Sequence, residues 1–235
     1  MPATYYKATR PDGTDFMTGM IDYGAALVSG EIIRHPAAKR VKEDASTYLS
    51  VATVPTDCTG FRWPCRLFEV HGVGRRPMTS SVYPNKRAFS ALRVVREIPA
   101  HEAFGPQGRE VVALIERCRV LTTAAAAVAA GGAARAAAWD AAVGAAAVAA
   151  QVAARHAARY AARVAAWGAA WDASRDTAGA RYPAGVAARG AAAVAAGVAA
   201  GALVIRDLIS DEHYRILTER LFSVIGEPHT WGGEA

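Results

Sequence analysis

Between Ala137 and Asp176 the chain repeats a four-residue unit: AAWD, AAVG, AAAV, AAQV, AARH, AARY, AARV, AAWG, AAWD, ASRD. Alanine has the highest helix propensity of any residue, and no proline intervenes before Pro183, so the repeat predicts helix. Gly144 and Gly168 each weaken that prediction by about 1 kcal/mol. Four residues turn an α-helix through about 400°, so each pair of larger side chains sits about 40° further round than the last. A coiled coil needs an apolar period of 3.5 residues, or 3.67 for the opposite hand, and cannot follow a stripe that drifts this fast. Two arrangements remain: a single rod, about 60 Å long for forty residues, with neighbours on several sides, or shorter antiparallel helices that each use part of the stripe.

The tetrad returns after Tyr182-Pro183 as AARG, AAAV, AAGV, AAGA, followed by LVIRDLI. Proline suits the first turn of a helix, which makes TAGARYP (177–183) the expected connection, and Gly197 and Gly201 give the second helix a small-residue face. Alanine buries little area, so Trp139, Tyr160, Trp167 and Trp171 are the expected anchors, in the core or at an interface with a partner. Arg155, Arg159 and Arg163 recur every four residues and form a ridge with Tyr160 beside it, either a solvated face or a site for an anion or nucleic acid. The uncharged run from Gly190 to Ile205 falls short of about 20 strongly apolar residues, so no membrane span is expected. Ser210 is a good N-cap with Asp211 and Glu212 behind it, and Tyr214, Ile216, Leu217, Leu221, Phe222 and Ile225 form a core-facing stripe that ends at Gly226.

The first hundred residues carry a different pattern. TYYKAT (4–9), EIIRH (31–35), TYLSVATV (47–54), RLFEVHGV (66–73) and FSALRVVREI (89–98) are β-rich runs separated by turn signals such as Pro11-Asp12-Gly13 and Pro84-Asn85. They predict strands of one small, strongly bent sheet, with a short helix or turn at 21–30 closing on Gly30. In GREVVALIERCRVL (108–121), Val111, Val112, Leu114, Ile115 and Cys118 fall on one helical face. The expected fold class is α+β, with a β-rich head at 1–105 and an alanine-rich helical region at 106–235 that ends in a capping helix.

The net charge is +6, but no run of five or six basic residues exists, and after Ser210 the acids Asp211, Glu212, Glu219, Glu227 and Glu234 outnumber Arg215 and Arg220. A nucleic-acid footprint is therefore not written locally. Three cysteines, an odd number, behind an N-terminus without a signal pattern point to free thiols in a reducing cytoplasm. The six-residue gap between Cys58 and Cys65, even with His71 near, is not the spacing of a zinc site, and no metal is expected.

No phosphate loop, dinucleotide fingerprint, nucleophile elbow or paired-histidine helix is present, so no cofactor is implied. ASTYLSVATVP (45–55) places Ser46, Thr47 and Ser50 on or beside a strand, after a first strand bearing Tyr5, Tyr6 and Lys7. This resembles the ADP-ribosyltransferase layout, which implies NAD between Tyr6, Ser46 and Thr47, with Glu69 or Glu97 as the glutamate. The chain departs from that pattern in lacking a Gln-x-Glu or Glu-x-Glu pair and a clearly placed first-strand arginine or histidine.

Across residues 4–100, YKATRPDGTDF, ASTYLSVATVPTD and WPCRLFEVHGVG followed by FSALRVVREI resemble an uncharacterised small domain of phage and bacterial proteins that heads repeat arrays. LVIRDLISDEHYRIL is similar to the ends of alanine-rich proteins of actinobacteria and their phages. The resemblance implies a phage or actinobacterial origin, with the host cytoplasm as the compartment if phage-encoded, and carries no activity. The combined expectation is a non-enzymatic interaction or assembly protein that docks a protein partner or a second copy of itself through its helices. An ADP-ribosyltransferase-like enzyme and an anion or nucleic-acid binder are the alternatives.

Overall fold

A computed structural model describes residues 3–36, 48–58, 61–74, 85–119, 155–173 and 183–228. The fold is α+β, and the chain divides into two compact units, Met1–Ala103 and Phe104–Ala235.

The first unit is one antiparallel sheet of six strands, β1 (Thr4–Thr9), β2 (Ile32–Arg34), β3 (Leu49–Ala52), β4 (Arg66–Val73), β5 (Lys86–Phe89) and β6 (Ala91–Ile98), in the order β2-β6-β4-β1-β3-β5. The expected single strand 89–98 is two. A corner at Ser90 lets the segment from Lys86 to Phe89 pair with β3 while the continuation from Ala91 pairs with β4 and β2. One bent strand thus serves both sides of the sheet, which curls toward a closed barrel and leaves few open edges.

The concave side is filled by Tyr5, Leu49, Val51, Phe68, Val70, Phe89, Leu92 and Val94, together with Tyr23, the fully buried first residue of α1 (Tyr23–Ser29). Helix α1 begins where the Asp22 carboxylate accepts from the Ala25 N–H at 2.8 Å and stops at Gly30, whose φ of 72° is left-handed. Gly72 has a packing role, because the Phe89 ring lies directly over it: a Cβ there would come within 2.2 Å of the ring.

The turn before α1 is organised around Asp15, 5% exposed, whose carboxylate accepts from the Met17 and Thr18 N–H groups at 2.9 and 2.7 Å, the Thr18 hydroxyl at 2.7 Å and the Ile21 N–H at 3.2 Å. Burial alone would raise its pKa, but the donors of Thr18, Ile21 and Met17 outweigh burial and hold it down to about 2. An unfolded aspartate titrates near about 3.9, so the folded value is depressed. The stabilisation is complete above the unfolded pKa and is lost as pH falls toward the folded one. Urea midpoints measured from pH 5 to pH 2 are expected to show a fall of about 2 kcal/mol that the Asp15→Asn protein lacks. Parallel pH curves for the two proteins would rule this assignment out.

The second unit packs four described helices: α2 (Gly108–Cys118), α3 (His156–Ala173), α4 (Pro183–Val204) and α5 (Asp211–Ile225), with a short 3-10 turn at Arg206–Leu208. Contacts that pair Trp171 with Gly190, Trp167 and Arg163 with Gly197, and Arg155 with Val204 run in opposite directions along α3 and α4. The alanine tetrads therefore form an antiparallel pair, the second of the two arrangements that the drifting stripe allows. The expected connection 177–183 lies outside the described residues up to Pro183, where α4 begins.

The second alanine of each tetrad, Ala158, Ala162, Ala166 and Ala170, is fully buried. These positions rotate by about 120° in all, and they stay covered because α2 and α4 both pack on α3. Val198, Ala202 and Leu217 form the contact between α4 and α5, flanked by Ile209 and Tyr214. Ser210 caps α5, its hydroxyl accepting from the His213 N–H at 3.2 Å. Among the described residues no helix is long and apolar enough to cross a membrane.

Candidate functional site

In the head, Tyr6 stands directly opposite Glu69 across the β1–β4 ladder, and Glu69 stands opposite Arg96 across β4–β6. Glu69 accepts two hydrogen bonds from Arg96, at 2.7 and 2.8 Å, and that guanidinium lowers its pKa. Burial, then the charges of Glu69 and Glu102, push the Tyr6 hydroxyl up.

Glu97 is aligned with Phe68, which is aligned with Lys7. Since neighbours in a strand alternate, Glu97 lies on the opposite face of the sheet from Tyr6 and Glu69. There it accepts from the Arg66 guanidinium at 2.6 and 2.9 Å, and Arg66 in turn lies 4.9 Å over the Phe68 ring. Lys7 turns inward, donating to the Ser50 carbonyl at 3.1 Å with its ammonium 5.6 Å over the Tyr23 ring, and burial pulls its pKa down.

The head candidates thus divide between two faces, and both glutamates are engaged by arginines. Ser46 and Thr47 lie outside the described residues. Cys58, Cys65 and Cys118 are all buried free thiols, and burial pushes them up to about 11, 12 and 12, which makes them poor nucleophiles and poor metal ligands.

The helical unit brings its candidates together more closely. The third residue of successive tetrads drifts outward from Arg159, 9% exposed, through half-buried Arg163 to Trp167, 41% exposed, and Trp171 beyond it is half-buried again. The fourth residue faces solvent, with Tyr160 64% exposed.

Opposite them, α4 presents Gly197 and Gly201. A Cβ at Gly197 would lie 3.2 Å from the Arg163 carbonyl oxygen and 3.6 Å from Trp167 Cβ, and one at Gly201 would lie 3.0 Å from Arg163 Cγ. The glycines let the arginine stems and the Trp167 base lie flat against α4. The result is a groove of about 430 Å³ between Arg159, Tyr160, Arg163 and Trp167 on one side and Val194 and Gly197 on the other, with Val164 at its margin. Trp171 stacks on Trp167 at 5.2 Å between ring centres with planes 12° apart.

Two sequence expectations change here. The aromatic residues described on α3 are not all in the core: Tyr160 and Trp167, seven residues and therefore about 20° apart, are held on one exposed face around a concavity, while Trp171 is half-buried. Trp139 lies outside the described residues. The arginines are not one solvated ridge either. Arg155 donates to Asp207 at 2.5 and 2.9 Å and to the Val204 carbonyl at 3.0 Å, closing the end of the hairpin.

Burial depresses the pKa of both remaining arginines, and Arg163's charge depresses that of Arg159 further. Val194 as the far wall and Asp207 as the partner of Arg155 were not legible, since each is brought in from a distant part of the sequence. A second groove of about 440 Å³ on α5 between Tyr214, Phe222 and Glu227 carries charge of both signs, and its Glu219 pairs with Arg215 at 3.5 Å.

No protein-family model matches the chain, and neither a curated protein nor a solved structure matches it.

Proposed function

We propose that this is a non-enzymatic interaction protein, in which the β-rich head is a scaffold unit and the α3–α4 hairpin docks another polypeptide in the Trp167 groove. The observation that carries this reading is the exposure of Tyr160 and Trp167, 64% and 41%, around a concave surface rather than within the helix packing. Large aromatic side chains with a polar end and an apolar body are the residues that dominate binding energy at protein interfaces. The engagement of Glu69 by Arg96 and of Glu97 by Arg66 supports a structural role for the head glutamates. The same pairing disfavours an ADP-ribosyltransferase reading, which needs one glutamate available to a ribose.

Placing benzoyl-phenylalanine at Tyr160, and as a control at Val28 on the other unit, tests the docking face in cells that express the full chain. A discrete covalent adduct from position 160 and none from position 28 is the expected result, with its mass telling a second copy from a different protein. Loss of any position-specific adduct would sink the docking reading. Saturable heat on titration with NAD would restore the enzymatic one.

A further inference from the structure

We infer that Lys7 is a reactive-amine site, which takes a small, uncharged aldehyde as an imine on its Nζ with the Tyr23 hydroxyl beside it. The site belongs to the head unit and does not depend on the Trp167 groove.

Two polar groups inside the head are under-satisfied. The Tyr23 side chain has no exposed surface, and its hydroxyl finds no hydrogen-bond partner. The Lys7 ammonium has three donors, yet among the described residues it uses one, on the Ser50 carbonyl at 3.1 Å, and lies 5.6 Å over the Tyr23 ring. Buried polar groups are paired in the great majority of cases, so an orphan hydroxyl under a singly bonded amine calls for a purpose beyond packing.

The groups that face the amine are Tyr23 from α1, Asp15 from the turn before it, Cys58 from the turn after β3 and Lys86 from β5. Loss of water around Lys7 outweighs the opposing influence of Cys58 and Asp15, and it favours the neutral amine. The Asp15 carboxylate is itself engaged by the donors of Met17, Thr18 and Ile21. A neutral lysine amine carries the lone pair that attacks a carbonyl carbon.

The way in runs between β1 and β3. Every residue of β1 is paired with β4, whereas Tyr6 with Ala52 is the one pair between β1 and β3 among the described residues. Lys7 reaches across this seam to Ser50 and is only partly buried. Its neighbour across the ladder, Phe68, stacks on Tyr23 at 6.4 Å between ring centres, so the walls are aromatic. Such walls suit an uncharged aldehyde, since a carboxylate beside them would lose its water without replacement.

The step needs no further reactant. The Nζ lone pair forms a bond to the carbonyl carbon while the C=O π pair moves to oxygen. Both hydrogens of the amine pass to that oxygen by way of the Tyr23 hydroxyl, the C–O bond breaks and the C=N bond forms. Amine and aldehyde thus give imine and one water.

Propionaldehyde with cyanoborohydride at pH 7 traps any imine on the full chain as a propylated lysine, which peptide mass spectrometry locates. Lys7 is expected to react about tenfold faster than Lys39 and Lys42 of the same chain, and Lys7→Arg should remove the adduct at that position. Tyr23→Phe deletes a hydroxyl without a partner, so the urea midpoint should stay unchanged while the Lys7 rate falls by about threefold or more. In 8 M urea the advantage of Lys7 should vanish, because the fold creates it. Reaction of Lys7 no faster than that of Lys39 and Lys42, or an advantage that persists in urea, overturns the site. A Tyr23→Phe protein that reacts at the unaltered rate overturns the part given to Tyr23.

Discussion

Replacing Gly72 with alanine is expected to destabilise the head unit by about 3 kcal/mol, because the added methyl occupies the space of the Phe89 ring. Three ring carbons would lie 2.2, 2.4 and 2.5 Å from the new Cβ, far inside contact distance, and the ring is confined by Tyr5 at 5.1 Å between centres. The ring must leave the concave side of the sheet, which forfeits the burial of a large aromatic and opens the Ser90 corner where β5 passes into β6. Hydrogen exchange should register this as a loss of protection of about two orders of magnitude at β1, β4 and β6 amides. The double variant Gly72→Ala with Phe89→Leu should recover part of the loss, since each change alone damages the same contact. Strictly additive effects would show that the ring does not depend on Gly72.

Replacing Ala162 with leucine is expected to cost the helical unit about 3 kcal/mol by overpacking. Ala162 has no exposed surface and belongs to the row Ala158, Ala162, Ala166 and Ala170, on which neighbouring helices close. A leucine there forces α3 away from its neighbours, which stretches the Arg155–Asp207 contact as well. Val164→Leu two positions on, at a site 48% exposed, is the matched control and should change the urea midpoint by well under 1 kcal/mol. Equal effects of the two changes would mean that the tetrad's second alanine has no special place in the packing.

Much of this fold could be read from local chemistry. Alternating β-rich runs located the strands to within a few residues, Asp22 and Gly30 bracket α1, Pro183 opens α4 and Ser210 caps α5, because turns and caps are decided by neighbours in the chain. The corner at Ser90 escaped that reading, since FSALRVVREI is a continuous strand pattern and only pairing with β3 on one side and β4 on the other divides it.

The groove was legible in part. The tetrad's drift showed that the large side chains along the helix could not all face one neighbour, and Gly197 and Gly201 were marked as a small-residue face. What sequence could not show is which direction the neighbours occupy. That depends on α2 and on the Arg155–Asp207 contact, which joins residues 52 positions apart. The arginine series likewise read as uniform, whereas its members end in different surroundings: Arg155 on a carboxylate, Arg159 nearly buried and Arg163 at the groove.

A chain built on this tetrad sets the compass bearing of its Trp167 groove by counting. Inserting one whole AAxx unit into α3 would leave the composition and the local pattern unchanged, yet would turn everything beyond it by about 40° and move it about 6 Å along the axis.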